Sequence, residues 1–428
     1  MPRPRFCRNR RCENCYHPSP GWLIRNGSYS TAAHGQVQRY LCRACRWGLS
    51  GQSESMHYYA KRRLELGQIF SRLRGGSSQR DIGREIGCSA PAVGNAMLRL
   101  ARQAMGAHVA ISCGLQCSGV VCFDGLASAL CSRDWATQIT TLGDSQRELI
   151  LAMTHCTTER GGRRTAAQRR RIERKRLRWR PARGALTESI SLLVHELARF
   201  AGPAAVHIDT DEHPVYRTVI ARDLALGWYR RAGLLSLRRT PGSAPRTVDN
   251  PLFLMNYIDR MIRHRMSEHT RESIALGRNA TCQMHRMWIF AWDHNTRQPL
   301  RVAGAERRSR AELAGVPLQL LTRLRREFTT RRLSLRGLAV PESIRQVWSG
   351  ELDSPPVRWR AGQKQRGPRI TAYARRDLSF AHPHGELHLT GNKRHPCPRT
   401  VRLSPACLLC EGAGCISRAG PSGSCCRS

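Results

Sequence analysis

Two cysteine clusters inside the first fifty residues constrain this chain more than any other feature. Cys7, Cys12 and Cys15 come early, and Cys42 and Cys45 follow in the knuckle C-R-A-C. Zinc takes four soft ligands in a tetrahedron, and two tight turns carrying two cysteines each supply them. The intervening chain has strand character around residues 36–41 and is about as long as a β-hairpin. Residues 1–55 therefore read as a zinc ribbon. Cys42 and Cys45 are its clearer half. The other half pairs Cys7 with Cys12 or Cys12 with Cys15, with His17 as an outside donor; Cys7, Cys12, Cys42 and Cys45 are the leading set and Cys15 the alternative.

The rest of the chain is bounded by charge. Seventy-one Lys and Arg stand against 31 Asp and Glu, a formal net charge of +40 over 428 residues. Such a charge calls for a polyanion, and DNA or RNA is the commonest. The longest apolar runs, at 190–194 and 233–237, fall far below the ~20 residues that cross a bilayer. The N-terminal charges have no apolar stretch behind them, unlike a signal peptide. A cytoplasmic, nucleoid-associated protein with no membrane partner is expected, whose 18 cysteines are thiols or metal ligands.

Residues 56–110 read as a helix-turn-helix unit. Ser77 or Ser78 caps a short helix carrying Ile82 and Ile86, and Gly87 breaks it. Ser89 caps a second helix with Val93, Met97 and Leu100 on one face. Laid in a major groove, that helix would offer Ser89, Ala90, Asn95 and Arg99 to DNA.

The pattern then turns to β. Apolar or alternating runs at 119–124, 134–143 and 147–156 predict three strands. A basic insert at 158–184 follows; Arg169, Arg170, Arg171 and Arg174 are its candidate phosphate contacts. Helical periodicity returns over 185–200, a strand is expected at 204–209, a helix at 213–226 and another at 251–267. Three strands, helix, strand, helix and a later helix is the element order of an α/β RNase H-like fold, with a mixed sheet and helices on both faces. The core spans 115–300. Residues 301–353 read as a basic helical extension. Residues 354–428, rich in Pro, Arg and His, read as an unstructured tail whose Cys407, Cys410 and Cys415 lack a clear fourth ligand.

Acids are scarce here, so those at strand ends stand out. A phosphoryl-transfer site built on two divalent cations needs carboxylates converging from separate elements. Asp124 closes the first strand. Asp211 lies just past the fourth, with Asp209 and Glu212 as competitors. For the third position the candidates are Asp259, Glu268 and Glu272; Asp259 is preferred and Glu272 is the runner-up. Asn256 sits one turn before Asp259 on the same side.

Read together, these segments resemble bacterial insertion-sequence transposases of the DDE, RNase H-like superfamily, over roughly residues 1–300. QRYLCRAC resembles their second zinc knuckle, SSQRDIGREIGCSAPAVGNAMLRL their helix-turn-helix, and FDGLAS and DTDEHPVY their first two catalytic segments. NPLFLMNYIDRMIRH with HTRESIAL resembles the block around the third acid. The resemblance implies catalytic, magnesium- or manganese-binding roles for Asp124 and Asp211. By spacing, the Glu of many such enzymes falls on Asn256, a departure that leaves Asp259 to take the third role from one turn along. It further implies metal-dependent cleavage at inverted repeats, strand transfer into target DNA, double-stranded DNA as partner, structural zinc, and a homodimer or larger assembly. Two other readings compete: a DNA-binding regulator with a dead core, and an RNA-binding protein.

Overall fold

The computed structural model describes residues 1–355 apart from 274 and 301–304, together with 377, 378 and 381. Among the described residues it is a mixed α/β structure with 12 helices and two sheets. The cysteines and nearly all of the residues assigned to the tail, Cys407, Cys410 and Cys415 included, lie outside the described residues.

The N-terminal unit is a three-stranded antiparallel sheet of β1 (Leu23–Thr31), β2 (Gly35–Cys42) and β3 (Gly48–Ser50). Gly35, at φ +63°, supplies the left-handed residue that the β1–β2 turn requires. Its small core is Cys7, Cys12, Trp22, Leu23, Cys42 and Leu49, too little apolar surface to hold fifty residues unaided.

Three helices follow: α1 (Leu66–Arg74), α2 (Gln79–Glu85) and α3 (Ala90–Ser112). Ser78 caps α2 by accepting from the Asp81 N–H, and Ser89 caps α3 by accepting from that of Ala92. Residues 57–65 carry no helix. In compensation α3 runs to 23 residues, roughly 35 Å. Every residue from Leu100 to Ile111 is buried.

The second sheet has five strands in the order β6-β5-β4-β7-β8. β4 (Val120–Leu130), β5 (Ser132–Asp144) and β6 (Leu149–Glu159) form an antiparallel meander. The helix α4 (Ala166–Arg176) and α5 (Ala185–Phe200) lead to β7 (Val206–Asp211), which runs parallel to β4. The helix expected over 213–226 is two, α6 (Pro214–Arg222) and α7 (Leu224–Arg231), because Asp223 caps the second. A fifth strand, β8 (Leu235–Thr240), runs parallel to β7. Then come α8 (Phe253–Arg265) and α9 (Ala280–Thr296).

Helices cover both faces of this sheet. A Cβ at Gly143 of β5 would stand 2.6 Å from the Met255 side chain, so a bare backbone lets α8 close on one face. On α9, Gln283 Oε1 lies 3.0 Å from His155 Nε2 on that same side. On the opposite face Ser189 of α5 donates to Thr154 of β6 at 2.8 Å.

Two expected boundaries do not survive. Residues 56–110 are not a separate unit: one apolar core runs from Met56 through α1–α3 and the sheet to Trp348. Nor are 301–353 an extension. They form α10 (Arg310–Leu313), α11 (Leu318–Glu327) and α12 (Glu342–Ser349), packed back onto the body. Arg310, with no exposed side-chain surface, pairs with Glu148 at 3.2 Å and donates to the His294 carbonyl. Arg325 donates to the Thr296 carbonyl at 2.7 Å. Arg336 reaches back to the Cys15 carbonyl, tying this segment to the N-terminal unit. No helix among the described residues is long and apolar enough to cross a membrane.

Candidate metal centre and acidic site

The sequence brings Cys7, Cys12, Cys42 and Cys45 to one point. Their sulfurs all lie within 4.8 Å of one another, with Cys7 and Cys45 at 3.4 Å and Cys12 and Cys42 at 3.6 Å. A tetrahedron of ~2.3 Å zinc–sulfur bonds has edges of about 3.8 Å, so the donor set fits zinc in both chemistry and size. The turns explain the convergence. Cys7 N–H donates to the Asn14 carbonyl, which folds the first knuckle back on itself. Cys42 N–H donates to the Trp47 carbonyl across a turn in which Arg46 takes φ +58°. Burial pushes the Cys7 and Cys12 thiols up. It acts the same way on Cys45, but the Trp47 backbone N–H and its neighbours bring that thiol down to about 7. Cys15 is buried outside this group and His17 is exposed, so neither alternative ligand joins it.

The acidic site is at the β4–β7 seam. Cys122 of β4 stands opposite Asp209 of β7. Asp124 and Asp211 lie two residues further along each strand and so share one face. Asp124 does not end its strand: β4 continues to Leu130. Asp211 is the last residue of β7 rather than a loop acid. Burial raises the Asp124 carboxyl, the Gly125 N–H opposes this at 2.7 Å, and the charge of Asp211 raises it further.

Asp259 comes from α8. Burial raises its carboxyl to about 7, with the charge of Asp124 adding to the effect and Arg263, Arg246 and Arg271 working against it. Arg263, one turn on, is 3.9 Å away. Beneath the same edge Tyr216 of α6 is 1% exposed, and its phenol is raised by burial and by the charges of Asp124 and Asp211. Tyr216 closes the segment DTDEHPVY; Arg246 and Arg263 were not singled out in the sequence, and only Arg263 had a local signal, its i,i+4 spacing from Asp259.

The competing acids are otherwise engaged. Asp209 receives Arg238 at 2.7 and 3.1 Å, with His207 at 3.1 Å. Glu212 accepts from the Gly242 N–H. Glu268 follows α8 in a short 3-10 helix, raised by burial, 3.7 Å from Arg286. Glu272 is exposed beyond the end of α8 in a left-handed conformation, φ +63°. It is therefore Asp259, not Glu272, whose charge couples to Asp124.

Among the candidate DNA contacts, Asn95 is exposed on α3, Ala90 is half-buried, and the Ser89 hydroxyl serves as the cap. Arg99 is a correction. It turns inward, donates to the Met56 carbonyl at 2.9 Å and lies over the Tyr58 ring at 4.2 Å. Arg171 is another: it grips Asp134 through two nitrogens at 2.7 and 2.9 Å, joined there by Lys175 and Arg160. That grip docks α4, and Arg169, Arg170 and Arg174 remain exposed on it. Neither a family model nor a curated protein matches the chain.

Proposed function

We propose that this chain is a DNA transposase, with Asp124, Asp211 and Asp259 as its metal-holding catalytic acids. One observation carries the reading: Asp124 and Asp211 share one face of two adjacent parallel strands, and Asp259 on α8 is coupled by charge to Asp124, with burial first raising the carboxyls of Asp124 and Asp259. The strand order, three antiparallel and two parallel with helices on both faces, supports an RNase H-like core.

The donor set fits a hard divalent cation. It is all carboxylate oxygen, and its repulsion is what such a cation relieves. Bound magnesium or manganese would supply an activated attacking oxygen and a stabilised leaving one. Asp124 and Asp211 fix the floor, and Asp259 closes the third side. Arg246 and Arg263 supply positive charge toward a scissile phosphate. The reaction is hydrolysis at the element's ends, followed by attack of the freed 3′-hydroxyls on target DNA. The cysteine unit and α3 bind the ends, α4 adds phosphate contacts, and pairing of two ends requires a dimer or larger assembly.

The test is cleavage and joining of DNA carrying the element's terminal repeats, with magnesium or manganese. Wild type should turn over, and Asp124→Asn should not. Equal behaviour of the two removes the catalytic reading, and end binding without turnover marks the chain as a regulator.

A further inference from the structure

A cleft of about 340 Å³ opens beside the β1–β3 sheet, closed on its far side by Tyr59 and Arg332, with a volume in the ~300–1,000 Å³ range of small-molecule sites. Its lining is unusual for a ribbon. Trp47, 39% exposed, and Tyr59, 52% exposed, present ring surface, with Tyr40 and Tyr29 beside them. The Arg39 guanidinium lies 4.8 Å over the Tyr29 ring, and no carboxylate among the described residues pairs with it.

The backbone is bent to build this. Register jumps between Arg25 and Ser28 of β1, and that bulge carries exposed Asn26 to the rim. Tyr59 is held at φ +51°, a conformation rare for a bulky aromatic residue. Strain of this kind persists where the surroundings enforce it, and it collects at ligand sites. Trp47 is placed by the metal knuckle itself, since its carbonyl receives the Cys42 N–H at 3.0 Å.

Aromatic faces beside an arginine and an amide suit one chemical group: an unstacked nucleotide. The base stacks on a ring, the arginine meets the phosphate, and the amide reaches the base edge. A duplex cannot enter, because its bases are stacked on one another. We infer that this cleft binds an unpaired nucleotide of single-stranded DNA, such as a base displaced from a frayed or nicked end. The inference rests on the nucleic-acid part of the proposed function and on none of the catalysis.

The experiment uses the full chain with its zinc content measured. A labelled DNA strand of mixed sequence is bound alone and as a duplex, at one salt concentration, and followed by fluorescence anisotropy. Trp47→Ala and Tyr59→Ala should each weaken single-strand binding about ten-fold and duplex binding less than two-fold. Trp47→Phe should restore most of the loss. Tyr59 lies outside the knuckle, so its variant stays informative if Trp47→Ala loses zinc. Equal losses on both forms of DNA, or none on the single strand, overturn the inference while leaving duplex recognition intact. Tighter binding of the matching RNA strand overturns the assignment to DNA.

Discussion

Asp259 on α8 is buried within the field of Asp124 on β4, and burial first, then that charge, pushes its carboxyl up from the ordinary 3.8 to about 7. The native state therefore keeps a proton that the unfolded chain has already released. Below about pH 4 both states hold it. As pH rises from there through about 7, native stability falls in the metal-free protein. Asp259→Asn should remove that slope and raise metal-free stability at pH 8 by on the order of 1 kcal/mol, discounted for the group's partial exposure. Thermal unfolding across pH 5–8 measures it. Asp259→Asn should also abolish metal-dependent turnover, because it removes a carboxylate oxygen from the proposed cation site. A pH-independent unfolding difference between wild type and variant would sink this account.

The cysteine geometry predicts one zinc per chain. Cys42→Ser or Cys7→Ser should lower the stoichiometry measured by elemental analysis to near zero. Cys15→Ser should leave it at one, because Cys15 stands outside the group. Because the small apolar core beside the metal is so slight, zinc removal should make residues 1–55 protease-sensitive.

Asp134, only 3% exposed, is held far below the usual carboxylate range first by its hydrogen bonds from Arg171 and then by those from Lys175. Asp134→Asn leaves Arg160, Arg171 and Lys175 crowded together without their counter-charge. The expected cost is about 1–3 kcal/mol, seen as faster tryptic cleavage within 158–184. Unchanged cleavage would mean that the clamp does not hold α4.

The arginines separate into two kinds. Replacing exposed Arg169, Arg170 and Arg174 together by Ala should weaken duplex binding and lower the salt slope by about 2 to 3, with the unfolding temperature unchanged. Arg99→Ala should act the other way. It loses a cation–π contact and a hydrogen bond to the Met56 carbonyl, and should cost about 1–2 kcal/mol of stability. Titrating binding between 50 and 200 mM salt, beside thermal melts, distinguishes them.

What the sequence disclosed follows these same lines. Asp124 was legible because apolar strand residues run straight into it, Asp211 because it lies at the end of a short strand and precedes a helix-starting Pro, and the cysteine knuckles because their spacing is short and local. The full extent of α3 was not. Beyond Leu100 it is buried all round, and a helix with no solvent face loses the 3.6-residue alternation that marks one. Helix α9 was missed for the same reason, being buried at nearly every position. Arg310, Arg325 and Arg171 look like surface charge in a chain of net +40, and their acidic or carbonyl partners lie between 10 and 162 residues away, beyond any local pattern. The roles of Asp134 and Arg99 were hidden likewise.

Arg74 of α1 and Arg265 of α8 both reach fully buried Asp293 of α9, at 3.1 and 3.5 Å. Gly76 beside them has no room even for a methyl group, which would stand 2.5 Å from the Arg265 carbonyl. α3 is sunk in the same core, so α1, α3 and the helix bearing Asp259 are packed together through shared contacts. Under the proposed function the molecule would work as a caliper: DNA gripped by the tip of α3 would be held at one offset and one rotational phase from the acids. Each residue added within α3 would turn that tip by about 100° and advance it ~1.5 Å, so insertions there should misplace the cut before they abolish binding.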